Sequence, residues 1–416
     1  MLRISHPRNT ADSDRSESML SAGPQLSGTN LERAGDHNQR VTLHAVRVNG
    51  PVTRTELVLK TGLTPAAIAN ITNRLLARRL ILRAGRIFGG RGQPAGKFVI
   101  NPDGCFSIGL NVDRDHITLV VLDFVGRVRA RASREICFAP PATVRTFFQR
   151  SVGQLLAKAG ISRDRLVGVG VALPDDIARA YCGNSREYAA WASVRIDELI
   201  GDVLDLPVFI ENDAAAAAIG EMQFGAGQRY RSFFYLLVTA ALGGGFVADG
   251  SYLRGANGRS GEIGWLRARD NGGEESELQN LVSLSCVYGR LAEKGFRVAT
   301  PRGLMRLRPA GRLIVDRWID DATQGLVNSF VAINCLINPQ AILIGGRLPA
   351  ELVDRLVVSL NRRMAEYAPQ LRAIAPVARA ETSDDAPAVG AAILPFSDRL
   401  LPTRFALLKT PYHPPS

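Results

Sequence analysis

Between Phe106 and about residue 395, short apolar runs alternate with longer segments of helical character, and this alternation limits the fold more than any other feature. The apolar runs predict buried strands at 108–112, 117–122, 167–173, 208–210, 233–238 and 341–344. Segments typical of helices separate them, near 143–159, 191–204, 214–223, 277–293, 315–337 and 350–366. Strands that alternate with helices over about 290 residues predict a two-lobed α/β domain. We place it at 104–400, with lobes at about 104–225 and 230–390 and a tail at 401–416.

The first hundred residues do not follow this pattern. Residues 1–36 are rich in Ser, Gly, Asp and Asn and have no hydrophobic period, so we predict a disordered arm. Three short helical patterns follow, and the third is opened by Thr64 as N-cap and Pro65 as the first helical residue. Two strand-like runs then enclose a Gly- and Arg-rich loop at 88–94. This order predicts a winged helix-turn-helix domain at 38–101.

Charge is concentrated in this N-terminal domain. Residues 38–100 contain eleven Lys or Arg and one acid, Glu56, which gives the segment a net charge of +10 out of +12 for the whole chain. A compact basic segment beside a nearly neutral remainder favours binding to a phosphate backbone. The alternative is a solvated surface in an Arg-rich protein.

The spacing of the cysteines and the hydropathy of the chain together indicate where in the cell the protein is located. The five cysteines lie far apart and none forms a C-x-x-C pair, which favours reduced thiols over a disulfide framework. No apolar run reaches the roughly 18 residues that a membrane span needs, and the first 36 residues have no apolar core of a secretory signal. We therefore expect a cytoplasmic protein with no membrane association.

Several short motifs occur in a defined order: Asn38-Gln39-Arg40, Thr53-Arg54-Thr55-Glu56-Leu57, Gly90-Arg91-Gly92-Gln93-Pro94-Ala95, Glu211-Asn212-Asp213-Ala214, Gly261-Glu262-Ile263-Gly264, and Asn338-Pro339 with Gly345-Gly346. In this order they resemble the ROK family (repressors, open reading frames and sugar kinases), and the likeness covers nearly all of residues 38–395. The resemblance implies an actin-like, ribonuclease-H-like fold for the α/β domain, with a sugar bound between the two lobes.

Asn212 and Asp213 follow the apolar run at 208–210, so they are expected at the carboxyl end of a buried strand. Open α/β sheets bind their ligands at that edge. The alternative is that this Asx pair only caps a helix that begins at Ala214. The resemblance implies that both residues contact the sugar, and that in a kinase Asp213 would be the general base.

A second sugar-binding element is implied at Glu262, between two glycines. Trp265 stands where the family usually has a His that contacts both sugar and zinc, and Gln279 stands where it often has a sugar-binding Glu. The segment 271–277 contains neither Cys nor His, so we expect no metal site there. Trp265 could stack on a sugar, or it could simply pack where the metal loop was lost.

The two phosphate loops of the family's kinases are altered. The first, of the type D-x-G-G-T, reads Asn111-Val112-Asp113-Arg114-Asp115, which places carboxylates where phosphates would lie. The second reads Thr239-Ala240-Ala241-Leu242-Gly243-Gly244-Gly245 and has lost a hydroxyl and a glycine relative to the family. Because phosphoryl transfer needs positioning and charge neutralisation, we predict no enzyme activity and no cofactor, with Asp213 as a vestigial base.

The expected DNA contacts are of two kinds. Asn residues on the third helix are candidates for reading bases, and basic or amide side chains elsewhere would contact phosphates or the minor groove. The alternative for Asn73 is that it only hydrates the helix. The predicted DNA-binding residues are Arg54, Thr64, Asn70, Asn73, Arg91 and Gln93.

These features predict a transcriptional regulator that binds a double-stranded DNA operator and responds to a small carbohydrate. The expected assembly is a homodimer or tetramer, because paired winged helices match a near-palindromic site. One alternative is an active ATP-dependent sugar kinase with an accessory DNA-binding domain. Another is a regulator whose sugar pocket has degenerated, which the residues Trp265 and Gln279 keep open.

Overall fold

The computed structural model describes residues 31–87, 95–175, 190–382 and 385–402. The N-terminal part is a winged helix-turn-helix, as predicted. Its elements are α1 (Leu31–Asn49), β1 (Val52–Thr53), α2 (Arg54–Thr61), α3 (Pro65–Ala77), β2 (Ile81–Ile87) and β3 (Ala95–Ile100). The three strands form an antiparallel sheet in the order β1-β3-β2. The predicted wing loop at 88–94 lies outside the described residues.

Local sequence explains where these helices begin and end. Thr53 and Glu56 form a reciprocal capping box at the start of α2, and Gly62 ends that helix in the left-handed conformation. Thr64 caps α3, whose apolar side at Ile68 faces the core. One prediction was wrong: α1 begins at Leu31, so residues 31–36 belong to a helix and not to a disordered arm.

The first lobe is built on a five-stranded sheet in the order β6-β5-β4-β7-β8. Strand β5 pairs antiparallel with both β4 and β6, whereas β7 and β8 continue the sheet in parallel with β4. The bounds are β4 (Phe106–Val112), β5 (His116–Asp123), β6 (Val128–Glu135), α4 (Pro141–Ala159), β7 (Leu166–Leu173), α5 (Ile196–Leu204), β8 (Val208–Asn212) and α6 (Asp213–Phe224).

The second lobe repeats the same strand order with β11-β10-β9-β14-β15, again with antiparallel pairs followed by parallel ones. A two-stranded hairpin, β12–β13, lies outside this sheet. The bounds are β9 (Phe233–Val238), β10 (Leu242–Ala248), β11 (Ser251–Tyr252), β12 (Arg267–Arg269), β13 (Glu275–Glu277), α7 (Gln279–Val282), α8 (Leu284–Glu293), α9 (Pro301–Leu304), α10 (Pro309–Leu336), β14 (Ala341–Gly346), α11 (Ala350–Ala365) and β15 (Val377–Arg379).

The chain then returns to the first lobe through α12 (Ala386–Arg399), which the sequence did not predict. This helix packs on β4, β7 and α6. The approach requires glycine: a Cβ at Gly109 would lie 1.9 Å from the Ala388 carbonyl oxygen, and one at Gly170 would lie 1.8 Å from that of Ala391. The predicted boundary of the second lobe at about 390 is therefore corrected, because α12 belongs to the first lobe by packing.

Gly243-Gly244-Gly245, the last part of the second altered phosphate loop, lies inside strand β10 and not in a loop. A Cβ at Gly243 would meet the Ala214 side chain at 2.8 Å, which shows that α6 packs directly on this strand. Among the described residues, no helix is both long enough and apolar enough to span a bilayer.

Candidate functional site

The carboxyl ends of β7 and β8 form the edge at which the predicted sugar contacts meet. The two strands are parallel, and Leu173 lies opposite Asn212, so Asp175 and Asp213 both leave the sheet at this edge. The Asn212 side chain accepts hydrogen bonds from the backbone N–H groups of Ala214 (2.9 Å) and Ala215 (3.1 Å). Asn212 therefore caps α6, which is the structural alternative considered for it, and its amide nitrogen is not used in that cap.

Asp213 is the first residue of α6 and is almost completely buried. One of its carboxylate oxygens accepts from the N–H of Ala214 at 2.8 Å. Burial, and next the nearby carboxylate of Asp113, raises the pKa of Asp213 to about 7, against the opposing effect of Arg114. A side chain with this pKa is partly protonated at neutral pH.

Glu262 lies beside Asp175, which follows β7 at the same edge of the sheet and which the sequence analysis did not identify. Burial and the neighbouring Asp175 carboxyl group raise the pKa of Glu262. The Arg259 Nε atom lies 3.7 Å from the Asp175 carboxylate and 3.9 Å from that of Glu262. The signal that could have found Asp175 is the one used for Asp213: an acid that directly follows a buried strand.

Trp265 lies next to Glu262, and its indole is within hydrogen-bonding reach of that carboxyl group. The Trp265 side chain is 57% exposed, so it does not fill a core position. Gln279 is buried, and its amide nitrogen donates to Glu277 at 2.9 Å. It packs behind Gly264, where a Cβ would lie 3.4 Å from the Gln279 Cβ. Trp265 is thus an exposed indole beside Glu262, whereas Gln279 packs against the loop.

The segment 271–277, which contains neither Cys nor His, forms the tight turn and second strand of the β12–β13 hairpin. The Asp270 carboxylate accepts from the N–H groups of Gly272 (2.9 Å) and Glu274 (3.0 Å). Arg267 pairs with Glu275 across the two strands at 3.2 Å. The loop is therefore closed by its own carboxylate and backbone groups.

The altered first phosphate loop forms a side-chain network. The Asn111 amide lies 3.1 Å from His116 Nε2, and His116 Nδ1 lies 2.7 Å from the Asp115 carboxylate. Arg347 donates to the other Asp115 oxygen at 2.8 Å and also to Glu135. Burial opposes ionisation of Asp115, but the His116 hydrogen bond and the Arg347 guanidinium outweigh it and hold its pKa below the usual value.

This network joins the two lobes. Arg347 follows β14 in the second lobe, whereas Asp115 and Glu135 belong to the β5–β6 part of the first lobe. In the described part of the chain, the one group of residues with suitable spacing for a metal ion is Asp113, Asp115 and His116, whose ligand atoms lie within 4.8 Å of one another. The Arg347 guanidinium already supplies positive charge to Asp115 in that group.

The second altered loop, 239–241, is held by backbone contacts. Thr239 accepts from the N–H of Leu284 at 2.8 Å, and Ser285 donates to the Ala240 carbonyl at 2.6 Å. Two of the loop's carbonyl oxygens are thus bonded to the start of α8.

On the winged helix, Asn70 and Asn73 are exposed on α3, and Thr64 is exposed at its N-terminus. Arg54 does not point away from the domain: it donates to Thr72 at 2.9 Å and to the Asn73 side chain at 2.7 Å. Arg54 therefore ties α2 to α3. The predicted contacts Arg91 and Gln93 lie outside the described residues.

The winged helix is docked on the first lobe through α1 and the end of α6. Arg47 donates to the Gln223 side chain at 2.5 Å, and its guanidinium lies 5.1 Å from the centre of the Phe224 ring. Burial, and then the nearby Arg47 charge, lowers the pKa of His44 to about 4, so this imidazole is neutral at pH 7. Helix α6 thus begins with Asp213 at the edge of the first-lobe sheet and ends at the winged helix.

Known proteins resemble the chain over most of its length. Protein y4fQ of Sinorhizobium fredii is 28% identical over 365 residues, which cover 86% of this chain and 90% of the relative. The xylose repressor of Bacillus subtilis is 26% identical, covering 56% of this chain and 61% of the repressor. The transcriptional dual regulator NagC of Escherichia coli is 22% identical, covering 79% of this chain and 85% of NagC.

Solved structures have the same fold. A ROK family transcriptional regulator, a homologue of the E. coli MLC protein, superimposes with a TM-score of 0.64 at 21% identity, covering 87% of this chain and 96% of that protein. The ROK hexokinase of Thermus thermophilus superimposes with a TM-score of 0.52 at 23% identity, covering 69% of this chain and 97% of the hexokinase. The family model for ROK proteins matches residues 107–397. The chain therefore belongs to the ROK family.

Proposed function

We propose that this protein is a transcriptional regulator that binds operator DNA through its winged helix and responds to a carbohydrate bound between the two lobes. The observation that carries the proposal is the connection made by α6, which starts at Asp213 in the cleft and contacts Arg47 of the winged helix through its last residues. Relatives named as sugar repressors support the same reading. A homodimer would match the symmetry of a palindromic operator.

The effector domain is proposed to act without phosphoryl transfer and without zinc. An ATP phosphate near the first loop would meet the carboxylates of Asp113 and Asp115, and Arg347 already neutralises Asp115 within the protein. Transfer of a phosphoryl group needs cations and N–H donors arranged around the phosphates. The contacts of the described residues at this loop are instead used to join the two lobes.

One observation favours the sugar-kinase alternative. Asp213 has a pKa of about 7, which suits a general base that works at neutral pH. A base alone does not position a nucleotide, and the altered loops oppose it. Phosphorylation of a hexose that requires both ATP and Asp213 would establish this alternative.

The DNA-binding part of the proposal is tested by comparing three variants on duplexes selected from a random library with the full chain. Asn70→Ala should relax the preference at one or two base pairs, because an exposed Asn can pair with adenine, at a cost of about 1–3 kcal/mol. Arg54→Ala should weaken binding to all duplexes alike, because α3 loses its tie to α2. Arg302→Ala, an exposed charge in the second lobe, is the control.

Fluorescence anisotropy at several salt concentrations reads out both effects. The expected result is a steep salt dependence for the full chain, unchanged by Arg302→Ala. Equal binding to the selected duplex by a chain that lacks residues 1–102 would exclude the winged helix as the DNA-binding element.

A further inference from the structure

Carboxyl groups are concentrated at the cleft. Asp113, Asp175 and Asp213 follow the ends of three adjacent parallel strands, in which Asn111, Ala172 and Glu211 lie side by side. In keeping with this register, Asp113 and Asp175 both raise the pKa of Asp213. Asp175 in turn lies within hydrogen-bonding reach of Glu262, and Arg259 Nε lies 3.7 Å from one carboxylate and 3.9 Å from the other. Four carboxyl groups from four different segments therefore form one acidic cluster, consisting of Asp113, Asp175, Asp213 and Glu262.

The positively charged side chains among the described residues do not neutralise the negative charge of this cluster. Arg114 acts on Asp213, and Arg259 lies within 3.9 Å of both Asp175 and Glu262. A third guanidinium, Arg254, is already paired at 2.5 Å with Glu211, a carboxylate outside the cluster. Arg347 also interacts with Asp113, but its charge is shared with Asp115 and Glu135. When all groups are ionised, the four carboxylates therefore face Arg114, Arg259 and this shared charge, so the cleft favours a ligand with positive charge.

An independent observation comes from the Asp113 side chain. Asp113 is 2% exposed, and none of the described residues donates a hydrogen bond to its Oδ2 atom. A buried carboxylate oxygen without a donor is costly, so the site lacks one N–H or O–H group that a ligand would supply. Its electrostatic neighbour is Asp213, the residue at the sugar-binding edge.

An aromatic side chain borders the cluster at Glu262. Trp265 is 57% exposed and lies beside Glu262. An exposed indole face binds the apolar side of a sugar ring and also attracts cations within about 6 Å of the ring centre. Carboxylates beside an exposed indole suit a ligand that is both a sugar ring and a cation.

We propose that the effector is an amino sugar, whose protonated amine is bound by the carboxylates of Asp113, Asp175 and Asp213 while its ring lies against Trp265. This inference rests on the proposed function, since it names the class of carbohydrate that the same cleft binds. The N–H groups of the ammonium supply the hydrogen-bond donor that Asp113 lacks. The positive charge of the ammonium offsets part of the net negative charge of the cluster.

The test uses matched sugars and the full chain. Glucosamine, galactosamine and mannosamine are each compared with the parent hexose and with the N-acetyl derivative, at pH 7, by calorimetry and by DNA binding. At least one amine is expected to bind about ten-fold or more tightly than both of its uncharged counterparts, because only the amine carries the charge. Equal or tighter binding of the N-acetyl or parent sugar would overturn the inference while leaving the proposed function in place.

Variants separate the cluster from general electrostatics. Asp175→Asn and Asp113→Asn keep the shape of the side chain but remove its charge. Each should bring the ratio of the affinity for the amine to that for the uncharged sugars closer to one. Asp202→Asn removes the same charge from an exposed position on α5, where the side chain is 75% exposed, and should leave the preference unchanged. A preference that survives both cluster variants contradicts the assignment. If none of the nine sugars binds or alters DNA affinity, both this inference and the carbohydrate part of the proposed function fail.

Discussion

At the scale of single residues, the properties of the cleft depend on Asp213. The sequence predicted its place, because an acid that follows a buried strand lies at the ligand-binding edge. It did not predict the pKa, which depends on Asp113 and Asp175 from segments distant in sequence. The same limit applies to Arg54, which is predicted to contact DNA phosphates or the minor groove: its bond to Asn73 forms only when α2 and α3 pack.

The raised pKa of Asp213 predicts an unusual pH dependence of stability. The folded state binds the proton more tightly than the unfolded state, whose pKa is near 3.8, so this residue lowers the free energy of unfolding as pH rises from about 4 to 7. Asp213→Asn cannot ionise and escapes this loss. The variant should be more stable than the parent at pH 8, by on the order of 2–4 kcal/mol, and nearly equal to it at pH 4.

Urea unfolding at pH 4 and pH 8 measures this difference. Asp202→Asn, an exposed carboxylate, is the control and should show no comparable gain at pH 8. A loss of stability in Asp213→Asn that is the same at both pH values would mean that the carboxylate is ionised and well stabilised in the folded protein.

At the scale of helices and strands, periodicity predicted the elements with clear apolar and polar sides. The strands at 108–112, 117–122 and 341–344 and the helix-turn-helix lie where expected. Helix α12 was missed because it is buried along nearly its whole length and contains Pro395, so it has neither a polar side nor an uninterrupted helical sequence. The repeated strand order of the two lobes could not be seen, because it is a repeat of topology without a repeat of sequence.

The tie between β14 and the β5–β6 strands yields a prediction about Arg347. Arg347→Ala leaves the buried Asp115 without its partner from the second lobe, so it should lower the free energy of unfolding by about 2–4 kcal/mol. Arg347→Lys should recover only part of the loss, since an ammonium group cannot bind Asp115 and Glu135 with the geometry of a guanidinium.

Thermal and urea unfolding give the measurement. Arg355→Ala removes a pair with Asp316 in which both side chains are nearly half exposed, and it should cost less than about 1 kcal/mol. If Arg347→Ala is no more destabilising than Arg355→Ala, the network does not hold the two lobes together.

At the scale of the whole molecule, α6 connects the two functions. Its first residue lies in the acidic cleft, and its last residues contact Arg47 of the winged helix, a distance of roughly 18 Å for a helix of 12 residues. A sugar that favours one arrangement of the lobes would therefore shift the position of the DNA-binding domain. No chemical step is needed for this coupling.

Operator affinity with and without sugar, in the absence of any nucleotide, tests this account most directly. The measurement is an anisotropy titration of a selected duplex against the full chain and against Asp213→Ala and Glu262→Ala. We predict that a binding sugar changes the affinity of the parent chain by about 5- to 150-fold, and that both variants bind DNA but no longer respond. A chain whose DNA affinity no sugar alters, or alters only when ATP is present and the sugar becomes phosphorylated, would contradict the account.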